Sequence, residues 1–223
     1  MLRRTRVKIC CIASEAEARM AVEAGADLLG LVGPMPSGPG VVDDRTARAV
    51  AAAAPPWATP VLLTEFDQPA EIVEHAARIG VRAVQLVRHV PVRTLARLAV
   101  AAPGLALIQV IHVEDRGALD LIEPYARHVT AFLLDTGRPS AGELGGTGRV
   151  HDWEISAEFV RLSPIPVFLA GGLTPANVGE ALARVRPAGV DLCSGIRIDR
   201  ALDPGLLGAF MDAVRTADGR LAP

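Results

Sequence analysis

Residues 130–152 read TAFLLDTGRPSAGELGGTGRVHD. The apolar run Ala131-Phe132-Leu133-Leu134 is what a strand buried on both faces requires, and it stops on a carboxylate, Asp135. A glycine-bearing segment follows and ends in Gly145-Gly146-Thr147-Gly148. In a parallel α/β protein, a strand that carries an acid to its C-terminal end and then gives way to a glycine loop has the form of an active-site edge. The structural alternative is that Asp135 caps the next turn and the glycines only loosen it.

The same strand-then-helix unit repeats on both sides of this stretch. Strands are expected at 6–12, 26–32, 60–64, 81–87, 105–111, 129–134, 166–170 and 189–193. Helices are expected at 15–25, 45–54, 69–79, 91–102, 116–127, 153–161, 175–185 and 204–216. Ser14-Glu15-Ala16-Glu17 has the Ser-x-x-Glu capping pattern, and Gly25 is a good helix stop. Eight βα units of about 28 residues each predict a (β/α)8 TIM barrel with eight parallel strands, one domain over residues 1–223. A doubly wound open sheet would want a Gly-x-Gly-x-x-Gly turn after the first strand; that turn reads Cys10-Cys11-Ile12-Ala13-Ser14. A Gly-Lys-Ser/Thr phosphate loop is also absent, which argues against nucleoside triphosphates.

Bulk composition narrows the function. Half of the 223 residues are hydrophobic, enough for a large core, and the net charge is -2. With 4% aromatic residues and no basic block, the chain lacks a nucleic-acid platform. The apolar runs are too short to span a membrane. The start, MLRRTRVKIC, is basic but has neither the apolar region nor the cleavage site of a signal peptide. Three cysteines, two of them adjacent, make no disulfide framework, so a reducing cytoplasm is expected.

A barrel places its chemistry at the C-terminal ends of its strands. Those ends nominate Cys10, Cys11, Gly33, Thr64, Glu65, Gln85, Arg88, His112, Asp135, Gly171, Gly172, Ser194 and Gly195. Gly171-Gly172 and Ser194-Gly195 follow neighbouring strands, and their bare backbone N–H groups suit a phosphate; a tight turn is the plainer alternative. Cys10 and Asp135 stand on separate strands around one mouth, where a thiolate and a carboxylic acid can act as base and acid on one small substrate. Taken alone, Cys10 reads as a small buried hydrophobe, the usual fate of a free cysteine. The five histidines, His75, His89, His112, His128 and His151, lack ligand spacing, so no metal is expected. His75 and His128 are expected on the surface and His112 in a solvated loop.

Taken together the motifs resemble phosphoribosylanthranilate isomerase, a (β/α)8 enzyme family of the tryptophan pathway. The resemblance runs through Val7-Lys8-Ile9-Cys10, Glu23-Ala24-Gly25-Ala26-Asp27-Leu28-Leu29-Gly30, Val84-Gln85-Leu86 and Leu133-Leu134-Asp135-Thr136. It continues through Gly145-Gly146-Thr147-Gly148, Asp152-Trp153, Leu169-Ala170-Gly171-Gly172-Leu173 with Asn177-Val178, Gly189-Val190-Asp191 and Ser194-Gly195. These pieces cover nearly the whole chain in family order. The resemblance implies an Amadori rearrangement of a phosphorylated sugar-amine, with no cofactor and no metal. It makes Asp135 the general acid that protonates the furanose ring oxygen, and Cys10 the general base that removes the C2 proton. The phosphate falls to Gly171, Gly172, Ser194 and Gly195. A monomer or a homodimer is expected, with no nucleic-acid or membrane partner.

The departures fall on the aromatic half of the substrate. The family's glycine after Lys-Ile-Cys is Cys11 here, its loop arginine is Pro39, its Gln-Leu-His-Gly is Gln85-Leu86-Val87-Arg88, and its Ser-Gly-Val-Glu is Ser194-Gly195-Ile196-Arg197. The aromatic usual before Asp152 is His151. A buried carboxylate needs a cation, so either Arg88 or Arg197 replaces the lost clamp, or the amine is not anthranilate and the chain is a paralogue acting on another aminosugar. A non-catalytic phosphate-binding barrel is the reading outside enzymology.

Overall fold

The computed structural model describes residues 4–35, 40–137 and 152–221. Eight strands, β1 (Arg6–Ile9), β2 (Leu28–Val32), β3 (Thr59–Thr64), β4 (Ala83–Leu86), β5 (Ala106–His112), β6 (Ala131–Asp135), β7 (Val167–Leu169) and β8 (Gly189–Leu192), close into one parallel barrel in sequence order. β1 seals it against β8, with Lys8 level with Asp191 and Ile9 with Leu192. The expected eightfold architecture is the observed one.

The helices are α1 (Glu15–Ala24), α2 (Asp44–Ala53), α3 (Pro69–Ile79), α4 (Val92–Ala101), α5 (Ile122–Ala126), α6 (Trp153–Leu162), α7 (Val178–Val185) and α8 (Pro204–Leu221). Local chemistry sets their ends. Ser14 caps α1 by accepting from the Glu17 N–H, and Gly25 closes it in the left-handed region. Asp43 caps α2, and Pro69 opens α3, where a missing N–H costs nothing. Residues 116–127 do not form the single helix that their spacing predicts. Arg116–Leu121 is a 3-10 turn and only Ile122–Ala126 is α-helical. Asp115 holds that turn by accepting from the Gly117 N–H, and Pro124 enters α5 within its first turn, where its ring is tolerated. A short antiparallel pair, β9 (Arg197–Ile198) with β10 (Ala201–Leu202), lies beyond the expected elements.

Alternation along each strand divides the core in two. Outward residues such as Ile9, Leu31, Leu62, Leu134 and Leu169 pack in the layer shared with the helices. Inward residues Val61, Ala83, Ile108, Val110, Ala131, Leu133, Phe168 and Ala170 fill the barrel. A smaller cluster of Cys10, Cys11, Val32, Leu63 and Val87, joined by Met35 and Cys193, sits at the strands' C-terminal ends. Two histidines depart from expectation. His75 is buried and its Nε2 bonds the Asp44 carboxylate at 3.1 Å. His112 ends β5 and is buried, its Nε2 bonding the Val87 carbonyl at 3.1 Å. Position in a helix, or at a strand end, does not by itself say which side the neighbouring helix covers.

Candidate active site

The site is built around a buried ion pair. Lys8 Nζ lies 2.9 Å from Asp191 Oδ1, with the lysine side chain 0% exposed and the carboxylate 8%. Both occupy inward positions of adjacent strands. Burial works against the Lys8 ammonium, but Asp191 beside it, with Cys10 and Cys11 nearby, outweighs that and holds its pKa above the ordinary lysine value. The sequence reading named both residues as motif members without seeing them as a pair. The sequence shows a lysine and an aspartate within short strand runs, but only the closing register of β1 on β8 brings them together.

Cys10 and Asp135 border this pair from its two sides. A Cβ on Gly30 of β2 would lie 2.9 Å from Cys10 Sγ and 3.0 Å from Lys8 Nζ, so thiol and ammonium converge on the bare face of one glycine. The Lys8 ammonium therefore feels any negative charge on Cys10. Asp135, at the end of β6, continues the inward series of Ala131 and Leu133, and its Oδ1 accepts from the Thr136 N–H at 2.8 Å. Burial pushes Asp191 up and the Asp135 charge adds to it, against the pull of Lys8. Going round the ring, β6 is three strands from β1 by way of β7 and β8. Asp135 and Cys10 thus stand at inward strand-end positions around one mouth, near the Lys8–Asp191 pair.

The two candidate phosphate loops lie side by side. Gly171 and Gly172 follow β7 with positive φ, 85° and 62°. Asn177 pins this turn: its Nδ2 donates to the Gly172 carbonyl at 2.9 Å, and its Oδ1 accepts from the Thr174 N–H at 2.8 Å. Ser194 opens a 3-10 turn after β8 (Ser194–Ile196). A Cβ on Gly195 would lie 2.1 Å from the Leu173 carbonyl oxygen, so the loops meet backbone to backbone. Residues Gly145-Gly146-Thr147-Gly148, Pro39 and His151 lie outside the described residues.

The two arginines offered as a replacement clamp have different surroundings. Arg197, its side chain 7% exposed, donates through Nη1 and Nη2 to both Glu17 carboxylate oxygens at 2.9 and 3.0 Å. Its Nη2 also donates to the Cys11 carbonyl at 2.7 Å and its Nη1 to the Arg200 carbonyl at 2.8 Å. Burial opposes the Glu17 carboxylate, but Arg197 and the Ala13 and Leu202 N–H groups hold its pKa below the ordinary range. This guanidinium ties the β8 turn to the α1 cap. Arg88, with its side chain half exposed, bonds Glu65 at 2.7 Å across the ends of β4 and β3. Among the described residues no group of three His, Cys, Asp or Glu is arranged to hold a metal. No described helix is long and apolar enough to cross a membrane.

With this geometry in place, similarity to known proteins assigns the family. The family described as N-(5'-phosphoribosyl)anthranilate (PRA) isomerase matches residues 7–213. N-(5'-phosphoribosyl)anthranilate isomerase 2 of Methanosarcina mazei is 39% identical over 193 residues, covering 86% of this chain and 85% of that one. Phosphoribosyl anthranilate isomerase of Thermotoga maritima superposes with a TM-score of 0.82 at 27% identity, covering 95% of this chain and 99% of that one. Another, solved with reduced 1-(o-carboxyphenylamino)-1-deoxyribulose 5-phosphate, superposes at 0.80 with 25% identity over 95% and 99% of the two chains. The chain belongs to the phosphoribosylanthranilate isomerase family.

Proposed function

We propose that the protein isomerises phosphoribosylanthranilate to its 1-amino-1-deoxyribulose phosphate, the aldose–ketose step of tryptophan synthesis. The observation that carries this is the placing of Cys10 and Asp135 at inward positions around one mouth, on either side of the Lys8–Asp191 pair. Asp135 protonates the furanose ring oxygen and the ring opens to an iminium ion. The Cys10 thiolate then takes the C2 proton, and the resulting enolamine tautomerises to the ketone. Such chemistry asks a carboxyl to keep its proton and a thiol to yield one near neutral pH. The Lys8 ammonium and the Cys10 thiol face the same bare glycine, Gly30, and Asp135 acts electrostatically on Asp191.

The phosphate rests on the apposed backbones of Gly171-Gly172 and Ser194-Gly195, a use of the last two barrel loops that needs no basic side chain. Arg88 is the cation for the anthranilate carboxylate. It is half exposed at the strand ends, and its partner Glu65 occupies one Nη. Arg197 instead braces the β1 and β8 turns.

Turnover of phosphoribosylanthranilate by the purified protein tests the assignment. Activity is expected, and Arg88→Ala should raise KM about 10- to 100-fold, the worth of a lost charge-assisted hydrogen bond. A well-folded protein without turnover would end this reading. Turnover with unchanged KM in the variant would remove Arg88 alone.

A further inference from the structure

All three cysteines of the chain meet at the barrel mouth, although the proposed chemistry uses only Cys10. The Cys10 N–H bonds the Leu192 carbonyl at 2.9 Å, which brings the residues after β1 and β8 level, Cys10 and Cys11 beside Cys193. Cys10 and Cys11 belong to one buried cluster, and Cys193 packs against it. Cys11 is buried and held at φ 63°, a conformation that costs a side chain about 1 kcal/mol or more. Its carbonyl is fixed by Arg197 at 2.7 Å. Cys193 is the most accessible of the three.

We infer that Cys193 and Cys11 form a hydroperoxide-responsive dithiol site that closes to a reversible disulfide. Its parts have distinct chemistry. The neighbouring Cys11 thiol and the Arg197 guanidinium pull Cys193 below the ordinary thiol range against the effect of burial. Cys11 is pushed above that range by the neighbouring Cys10 and Cys193 thiols and by burial, so it keeps its proton. Cys193, the accessible member, is the attacking thiol, and Cys11, buried beside it, the resolving thiol.

In the first step the Cys193 sulfur attacks one peroxide oxygen. An S–O bond forms, the O–O bond breaks, and the other oxygen leaves as hydroxide or alkoxide and takes a proton from water. Sulfur is oxidised by two electrons and the peroxide is reduced by two. In the second step the Cys11 sulfur attacks the Cys193 sulfenic acid; the S–S bond forms, S–O breaks, and the departing hydroxide leaves as water with the Cys11 proton. Cys10 and Cys11 are neighbours in sequence and would bridge only through a strained ring, so Cys10 is expected to stay a thiol.

The test uses the full chain, hydrogen peroxide and peptide mass mapping after alkylation of free thiols, and needs no turnover. The expected result is loss of two of the three alkylatable thiols, a cross-link between tryptic peptides 9–19 and 185–197, and recovery with dithiothreitol. Cys11→Gly and Cys193→Ala should each abolish the cross-link. Three thiols still free after peroxide, or oxidation confined to Cys10, would overturn the site. A cross-link that persists in Cys11→Gly would overturn the pairing by making Cys10 the partner.

Discussion

Lys8 and Asp191 stand 183 positions apart in sequence yet level with each other across the seam where β1 closes on β8, their charges 2.9 Å apart inside the barrel. Such a pair contributes little net stability, because desolvation of both charges offsets their attraction. Breaking it is another matter. Lys8→Met should destabilise the fold by about 3–5 kcal/mol, since Asp191 would be left buried and unpaired. The double variant Lys8→Met/Asp191→Leu should recover most of that loss in urea unfolding while remaining poor in turnover. Equal stability of the single and double variants would show that the pair is not held as a charged unit.

Cys10→Ser and Asp135→Asn remove the proposed base and acid with almost no change in volume. Each should lower kcat by about 10²–10⁴-fold, the usual worth of a positioned proton-transfer group. Thermal unfolding should shift little for Asp135→Asn, whereas Cys10→Ser, which puts a hydroxyl into the buried cluster at the strand ends, should cost about 1–3 kcal/mol. A loss confined to KM would instead give these residues a binding role.

Much of this was legible from the chain. The helix Pro69–Ile79 has the bounds that its spacing predicts, and Ser14 and Gly25 mark the ends of α1 by chemistry alone. Asp135 announced itself by ending an apolar run, and Cys10 through the Val7-Lys8-Ile9-Cys10 resemblance. What stayed hidden depends on contacts between distant segments. Parallel strands are apolar on both faces, so alternation does not show that Lys8 points inward toward Asp191. The closing register does. Arg197 reads as a ligand clamp because it stands where the family has a glutamate, and its partner Glu17 reads in sequence only as part of a capping box. In the structure Glu17 serves both ends, accepting from the Ala13 N–H at 3.0 Å and from Arg197.

That double duty gives a pH dependence. Glu17 has a folded pKa below its ordinary value of 4.5. Its contribution is therefore fully present above that value and is lost as pH falls through the lower folded pKa. Glu17→Gln should cost about 2–3 kcal/mol at pH 7, because it leaves the Arg197 guanidinium without its carboxylate. The gap between variant and wild type in denaturant midpoint should narrow below about pH 4 as Glu17 protonates. A gap constant from pH 7 to pH 3 would show that the bonds, not the charge, carry the contribution.

Gly195 tests whether the two loops bind phosphate as one unit. A methyl group there would meet the Leu173 carbonyl oxygen at 2.1 Å, and backbone cannot step aside as a flexible side chain can. Gly195→Ala must therefore push the turn after β8 away from the turn after β7, while the barrel beneath, sealed by β1 on β8, has no reason to open. If both turns hold the same phosphate, KM for the phosphorylated substrate should rise about tenfold or more, as expected for at least one lost hydrogen bond to a charged group, with kcat less affected. Inorganic phosphate, as a competitive inhibitor, should weaken in parallel because it carries only the shared part of the substrate. A fall in kcat at constant phosphate affinity would instead assign the apposition of Gly195 and Leu173 to holding the catalytic strands.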